Sequence, residues 1–212
     1  MKIYRALLLT VFFLCLPWPA WGATDVWLFY GAGPHFWSAG IDEIARRVRT
    51  LRGVHSVTVS DYRDTQAAYN YLVSRPAEHS IAIVGYSCGG NSSLSVGGSL
   101  HRTVHVITLQ PSIWCGRYPT THNMRYFQST WSYGTGGLGA YQPEGPPAGY
   151  TVFIQRPQRH LDAVDDTQYQ RDAVFAVGAV ADPGRRRLLE RHLIRSAPYV
   201  DRQDATVIWR RE

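Results

Sequence analysis

The sequence predicts an α/β fold, with a doubly wound, mostly parallel sheet in a three-layer sandwich. Short apolar runs alternate along the chain with longer amphipathic runs, as expected for repeated strand–helix units. The run IAIVG at residues 81–85 is continuously apolar, which is typical of a central parallel strand buried on both faces. The part of the chain after residue 22 is also long enough to form one domain with its own core.

Each predicted element rests on a local pattern. Alternating or continuous apolar runs bounded by turn residues predict strands at 25–30, 54–60, 81–85, 103–109, 124–129 and 150–155. Apolar residues at helical spacing predict helices at 38–51, 64–74, 88–100 and 165–181. Ser38 is expected to cap the first of these helices, and Asp165 with Gln168 has the spacing of a capping box on the last. Residues 130–149 are rich in Gly and Pro and are predicted to be a long loop.

The two ends of the chain differ from the region between them. Residues 1–22 carry Lys2 and Arg5, then an apolar run at 6–16 and the small-x-small sequence AWG at 20–22, so they are predicted to be a signal peptide. We therefore expect an exported protein, either periplasmic or secreted. Residues 23–182 are predicted to form the α/β domain that carries the candidate site. Residues 183–212 are predicted to form a basic C-terminal extension that is helical in part.

Charge and cysteine content exclude some classes of function. The formal net charge is +6, and after residue 22 every basic residue apart from His is an Arg. Most of these Arg residues are scattered, so no nucleic-acid partner is predicted. The two cysteines after residue 22, Cys88 and Cys115, do not belong to a Cys-x-x-Cys or Cys/His motif. No metal and no cofactor are predicted.

The pentapeptide GYSCG at residues 85–89 lies between a predicted buried strand and a predicted helix. Gly-x-Ser-x-Gly in that context is typical of a nucleophile elbow, in which small residues allow a sharp turn that exposes the serine hydroxyl. Ser87 is therefore a candidate nucleophile. The backbone N–H of Cys88 would lie at a helix N-terminus, where it could stabilise an oxyanion.

With FYGAG at 29–33, GYSCGG at 85–90 and a His after the last strand, the chain resembles the α/β-hydrolase superfamily. It is most similar in type to the small cap-less lipase-, cutinase- and thioesterase-like members. The resemblance implies that Ala32 supplies a second oxyanion N–H and that His160 is the base. It also implies that the loop after the strand at 103–109 passes near the elbow, so Cys88 and Cys115 are expected to form a disulfide.

The acid of the triad is not in its usual place. The superfamily's chain order is Ser, then Asp or Glu, then His. Between Ser87 and His160 there is no Asp, and the only Glu is Glu144, inside the Gly/Pro-rich segment. Gln110 stands directly after a predicted strand, where an acid is common. Three interpretations stay open: Glu144 is the acid, Gln110 is a weak orienter of His160, or the site is degenerate.

The loops near this predicted site carry many aromatic residues, which suits an acyl or aromatic ester. His35, Trp114 and Tyr86 are the candidate substrate-binding residues. The sequence thus predicts an exported serine hydrolase that cleaves a carboxylic ester or thioester bond. The expected substrate is a small-molecule or lipid-like ester. Contact with a membrane surface is possible on this prediction. The alternative is a non-catalytic binding protein on the same fold. The oligomeric state is not predicted.

Overall fold

The computed structural model describes residues 22–132, 150–156, 159–185, 187–189, 191 and 207–211. Most of the predicted signal peptide lies outside the described residues. So does most of the predicted Gly/Pro-rich loop, including Glu144. No helix within the described part of the chain is both long enough and apolar enough to cross a membrane.

One seven-stranded sheet runs through the molecule in the order β2-β1-β3-β4-β5-β6-β7. The first six strands are parallel to their neighbours, and β7 is antiparallel to β6. In chain order, the strands are β1 Thr24–Phe29, β2 Val54–Ser60, β3 Ser80–Tyr86, β4 Val104–Leu109, β5 Met124–Ser132, β6 Tyr150–Arg156 and β7 Val207–Arg211.

Helices cover both faces of this sheet. They are α1 Gly40–Val48, α2 Thr65–Val73, α3 Cys88–Ser99, α4 His160–Ala163 and α5 Thr167–Ala181. Helices α1 and α5 pack on one face, and α2 and α3 pack on the other. On β1, Val26 and Leu28 face the first layer while Trp27 and Phe29 face the second, because successive strand residues point to opposite faces. The predicted doubly wound α/β class is confirmed.

Two predicted helix starts were wrong. The helix expected at 38–51 begins at Gly40, and Ser38 belongs to a short 3-10 helix, His35–Ser38, with no side-chain cap. The last long helix is capped by Asp166, whose carboxylate accepts from the N–H groups of Gln168 and Tyr169. A polar residue one position from the cap gives almost the same sequence signal, so the pattern alone could not choose between Asp165 and Asp166.

The C-terminal region contributes to the sheet. Residues 183–212 were predicted to be a basic extension that is helical in part, and within them Pro183–Arg185 is a 3-10 helix and residues 187–189 are helical. Beyond these, β7 pairs with β6 and forms an edge of the sheet. A single short strand at a sheet edge carries little periodic signal, which explains why the sequence did not reveal it.

The carboxyl ends of the parallel strands place several predicted site residues on one edge of the sheet. Phe29 at the end of β1 pairs with Gly85, and Tyr86 at the end of β3 pairs with Leu109. Ser87, Gln110 and the loop that contains Ala32 therefore follow strands that end side by side. Ligand sites of open α/β sheets form at this edge.

Candidate active site

Ser87 occupies a strained turn between β3 and α3. Its φ of 53° and ψ of −124° lie outside the regions that non-glycine residues ordinarily adopt. Such a conformation costs on the order of 1–3 kcal/mol and persists where the surrounding structure enforces it, which is often at functional sites. Here the N–H of Ser87 donates to the carbonyl of Leu109 at 2.9 Å, which ties the turn to the neighbouring strand.

The two glycines of the pentapeptide are required by close packing. A Cβ atom on Gly89 would lie 2.6 Å from the carbonyl oxygen of Phe29, and a Cβ on Gly85 would collide with the main chain of Gly89. No larger residue fits at either position without moving backbone. The Gly-x-Ser-x-Gly spacing is therefore a steric consequence of a helix that starts directly against β1 and β3.

His160 meets Ser87 at this turn. The Nε2 atom of His160 lies 2.8 Å from Oγ of Ser87, although 73 residues separate them in the chain. Both side chains are nearly buried, with Ser87 7% and His160 4% exposed. A nucleophile and a base within hydrogen-bond reach are the geometric signature of an activated serine.

The pKa of His160 is lowered to about 4 because burial disfavours the charged imidazolium. The ring is therefore neutral at physiological pH, which is the form that can accept a proton from Ser87. Its other nitrogen, Nδ1, is buried and has no hydrogen-bond partner among the residues that the structure describes.

Tyr86 holds His160 in place. The two rings stack with centroids 5.3 Å apart, and the hydroxyl of Tyr86 donates to the backbone carbonyl of His160. Burial, with Asp165 and Asp162 nearby, raises the pKa of Tyr86, so the hydroxyl stays protonated and able to donate. Tyr86 was predicted to bind substrate, but its side chain is only 2% exposed, and the described contacts are with His160.

Gln110 does not orient His160. Its Nε2 atom donates to the hydroxyl of Tyr169 on α5 at 2.9 Å, and Nδ1 of His160 accepts no bond from it. Gln110 has a positive φ of 50° and precedes Pro111, so the chain turns sharply at this position. The hydrogen bond that would make Gln110 a weak orienter is therefore absent from the described structure. Two of the three interpretations therefore stay open: Glu144 is the acid, or the site is degenerate.

The two predicted oxyanion donors lie on segments that adjoin Ser87. Cys88 is the first residue of α3, so its N–H belongs to the helix N-terminus, where the helix dipole favours negative charge. Ala32 follows Gly31 in the exposed loop after β1, and a Cβ on Gly31 would lie 3.1 Å from Cβ of Ser87. The N–H of Ser87 itself is occupied by Leu109.

A disulfide joins Cys88 to Cys115, as expected, with a Cα–Cα distance of 5.3 Å. The bond fastens the loop after β4 to the start of α3. This loop carries Trp114, which is 70% exposed and which, with Cys88, lines a groove of about 370 Å³.

The sequence analysis missed the opposite wall of this groove. The wall is formed by Tyr62 and Arg63, in the segment that links β2 to α2, and by Thr65, the first residue of α2. The available signal was topological, because this segment leaves the carboxyl end of β2 on the same edge of the sheet as Ser87. These residues belong to no recognised sequence motif, so the sequence did not identify them.

His35 begins the 3-10 helix that follows β1, and its described contacts are with neighbouring side chains. Its Nε2 atom lies 3.4 Å from a carboxylate oxygen of Asp42, and its ring packs edge-on against Tyr30 with centroids 4.4 Å apart. The side chain is 62% exposed, so it is accessible to a ligand. No described contact joins it to Ser87 or His160.

Comparison with known proteins adds a fold-level similarity. No protein-family model and no curated protein matches the sequence. A crystal structure of a protein from Xanthomonas campestris pv. campestris, assigned by its name to the hydrolases of the α/β superfamily, is similar with a TM-score of 0.45 and 11% identity. The match covers 75% of this chain and 98% of that one. At this level of similarity the geometry of the site, rather than the neighbour, must support a function.

Proposed function

We propose that the protein is a serine hydrolase that cleaves carboxylic ester or thioester bonds through an acyl-enzyme. The observation that carries this proposal is the 2.8 Å contact between Oγ of Ser87 and Nε2 of a buried His160, at a strained turn that opens a helix. A buried, neutral imidazole beside a serine hydroxyl is the arrangement that nucleophilic catalysis requires.

The reaction follows from these positions. Ser87 Oγ attacks the carbonyl carbon while its proton passes to Nε2 of His160, and the carbonyl oxygen becomes an oxyanion that accepts from the N–H groups of Cys88 and Ala32. Collapse of this intermediate breaks the ester or thioester bond, and His160 returns the proton to the departing alcohol or thiol. Water then attacks the acyl-serine with His160 again as base, which releases the acid and restores Ser87.

Exposed apolar side chains on three segments near the carboxyl edge of the sheet support an apolar acyl group. Phe36, Trp37, Ile113, Trp114 and Leu161 are between 37% and 70% exposed. They lie on the 3-10 helix that follows β1, on the 3-10 helix that follows β4 and directly after His160, so three segments that follow strands of the sheet present apolar surface. Apolar surface of this kind marks ligand or membrane contact, and we extend the proposal to lipid-like esters and to contact with a membrane surface.

Ser87→Ala tests the proposal. We expect hydrolysis of p-nitrophenyl esters and labelling by a fluorophosphonate probe to fall to background, because no other group replaces the nucleophile. The loss of one hydrogen bond to His160 should change Tm by at most about 4 °C. The matched control is Ser99→Ala, at the far end of α3, which should keep full activity. Ester hydrolysis by Ser87→Ala at the wild-type rate would refute the proposal.

One observation favours a second candidate function, a non-catalytic binding protein. Nδ1 of His160 has no hydrogen-bond partner in the described part of the chain, and an imidazole without an acid is a poor base. For a binding protein, the wild type would fail to react with the probe, yet an apolar ester or acid would still bind in the groove beside Cys88. Probe labelling of the wild type therefore separates the two candidates.

A further inference from the structure

Three side chains of the cation-ligand type meet at the amino-terminal edge of the sheet, on the side opposite Ser87. Asp25 on β1 lies between His55 on β2 and His79, which directly precedes β3. One carboxylate oxygen of Asp25 is 3.1 Å from Nδ1 of His55, and the other is 2.7 Å from Nδ1 of His79. One ligand atom from each residue lies within 4.8 Å of the others.

Asp25 is fully buried and ionised. Burial by itself raises the pKa of a carboxyl group, but hydrogen bonds from Ser56, His79 and His55 outweigh that effect and lower the pKa of Asp25. A buried carboxylate needs compensating positive charge or hydrogen bonds. In the described structure the two imidazoles and one hydroxyl supply them.

The position of His79 is set by its surroundings. Arg102 donates to the backbone carbonyls of His79, Arg75, Pro76 and Ala77, which fixes the turn before β3. The side chain of His79 is only 14% exposed. His55 is 56% exposed, so the cluster has one buried wall and one side open to solvent.

We propose that Asp25, His55 and His79 bind a zinc ion that joins β1, the edge strand β2 and the start of β3. Two imidazole nitrogens and one carboxylate oxygen form a ligand set that Zn²⁺ favours, and water can complete the tetrahedron on the exposed side. Ligand atoms around tetrahedral zinc are about 3.3 Å apart, which follows from metal–ligand distances near 2.0 Å. One ligand atom from each of the three residues lies within 4.8 Å of the others, so the atoms must move closer together by up to about 1.5 Å, and the exposed side chain of His55 is free to make most of that movement.

The ion has a structural role. Ser87 follows β3 at its other end, six residues from Ile81, the residue that pairs with Asp25. At about 3.3 Å per residue this places the cluster roughly 20 Å from the catalytic pair. Zinc therefore stabilises the fold without contact to the reacting atoms, and this inference is independent of the proposed hydrolase activity.

The test uses tag-free, chelator-treated protein and zinc chloride. We expect isothermal titration calorimetry to show one zinc ion per chain. At a free zinc concentration of a hundred times Kd, Tm should rise by about 5–10 °C, because the ion binds the folded state preferentially. Co²⁺ should give the visible absorption of a tetrahedral N/O site.

Three variants make the test specific. His55→Gln and His79→Gln should each weaken zinc binding at least about tenfold and reduce the zinc-dependent rise in Tm, since each removes one ligand. His101→Gln, an exposed histidine outside the cluster, should bind zinc like the wild type. His55→Gln changes an exposed side chain, so it provides the test even if His79→Gln does not fold. Absence of zinc binding by the wild type, or wild-type binding by His55→Gln, would overturn the proposal and leave the cluster as a set of hydrogen bonds around Asp25.

Discussion

At the scale of single residues, the protonation of His160 is governed by what lies next to its buried ring. Burial alone lowers its pKa to about 4, and a carboxylate on Nδ1 would raise the pKa because an opposite charge favours the imidazolium. For the hydrolase that we propose, the kinetic pH profile therefore reports whether Ser87 and His160 are joined by an acid. Glu144 is the only carboxylate between Ser87 and His160 in the chain.

We predict that Glu144→Gln lowers kcat by about 10³–10⁴-fold, the scale of replacing a triad acid by its amide. The same change should move the acid limb of kcat/KM from its wild-type position down to about pH 4, since the variant loses the charge that favours the protonated ring. Rates measured from pH 3 to 9 would check both effects. Glu78→Gln, an exposed glutamate elsewhere, is the control and should change neither. An unchanged kcat in Glu144→Gln would exclude Glu144 as the acid.

The contact between Gln110 and Tyr169 gives a second residue-scale prediction. Tyr169→Phe removes only the hydroxyl that accepts from Gln110, which leaves a buried amide donor without that partner. We expect a loss of about 1–3 kcal/mol in the free energy of unfolding, measured by urea denaturation, and a kcat within a few-fold of wild type. A large fall in kcat with unchanged stability would show instead that Gln110 acts in catalysis.

At the scale of elements, the disulfide links the first residue of α3 to the 3-10 helix Ile113–Cys115. It closes a loop with a sequence separation of 27 residues, which in the chain-entropy model stabilises the fold by about 3–4 kcal/mol. It also holds Trp114 beside the groove. If the groove binds substrate as we propose, stability and substrate binding are coupled through one covalent bond.

We predict that Cys115→Ser lowers Tm by about 7–14 °C, the stabilisation converted at a few degrees per kcal/mol. KM for apolar esters should rise more than kcat falls, because the catalytic pair does not depend on the bond while the groove wall does. Thermal melts with and without dithiothreitol provide the control. Reductant should lower the wild-type Tm toward that of the variant and leave the variant unchanged, and a reductant-sensitive variant would contradict this explanation.

At the scale of the whole molecule, β7 covers an edge of the sheet. Strand β6 precedes His160 in the chain, and its other edge pairs with β5. Without β7, the N–H and C=O groups of β6 on that side would be exposed, and such an edge promotes pairing between chains. The C-terminal strand is therefore part of the domain that positions His160.

We predict that deletion of residues 207–212 lowers Tm and causes self-association, detected by size-exclusion chromatography. The matched control is the double substitution Arg210→Ala and Arg211→Ala, which removes two charges but keeps the main chain that pairs with β6. The control should remain close to wild type. Equal self-association of both variants would mean that the charges, and not the strand pairing, prevent association.

The sequence by itself predicted the α/β class, six of the seven strands, and Ser87 and His160 as candidate site residues. The strands and the elbow have local causes. Hydrophobic periodicity follows from burial of one or both faces of an element, and the glycines of the elbow are needed at fixed spacing because a larger residue would clash. The structure brings His160 to 2.8 Å from Ser87, and it was selected among eight histidines by the resemblance to the α/β-hydrolase superfamily together with its position after the last predicted strand.

Only the tertiary structure decided the partners of Tyr86 and Gln110, the groove wall at Tyr62 and Arg63, and the cluster of Asp25, His55 and His79. Each depends on segments far apart in the chain. Asp25 and His79 are separated by 54 residues, and they meet because β1 and β3 are parallel neighbours in register. A sequence pattern reports which face of an element is buried, but not which other element covers that face, because the sheet order that brings distant residues together is set by the packing of the whole chain.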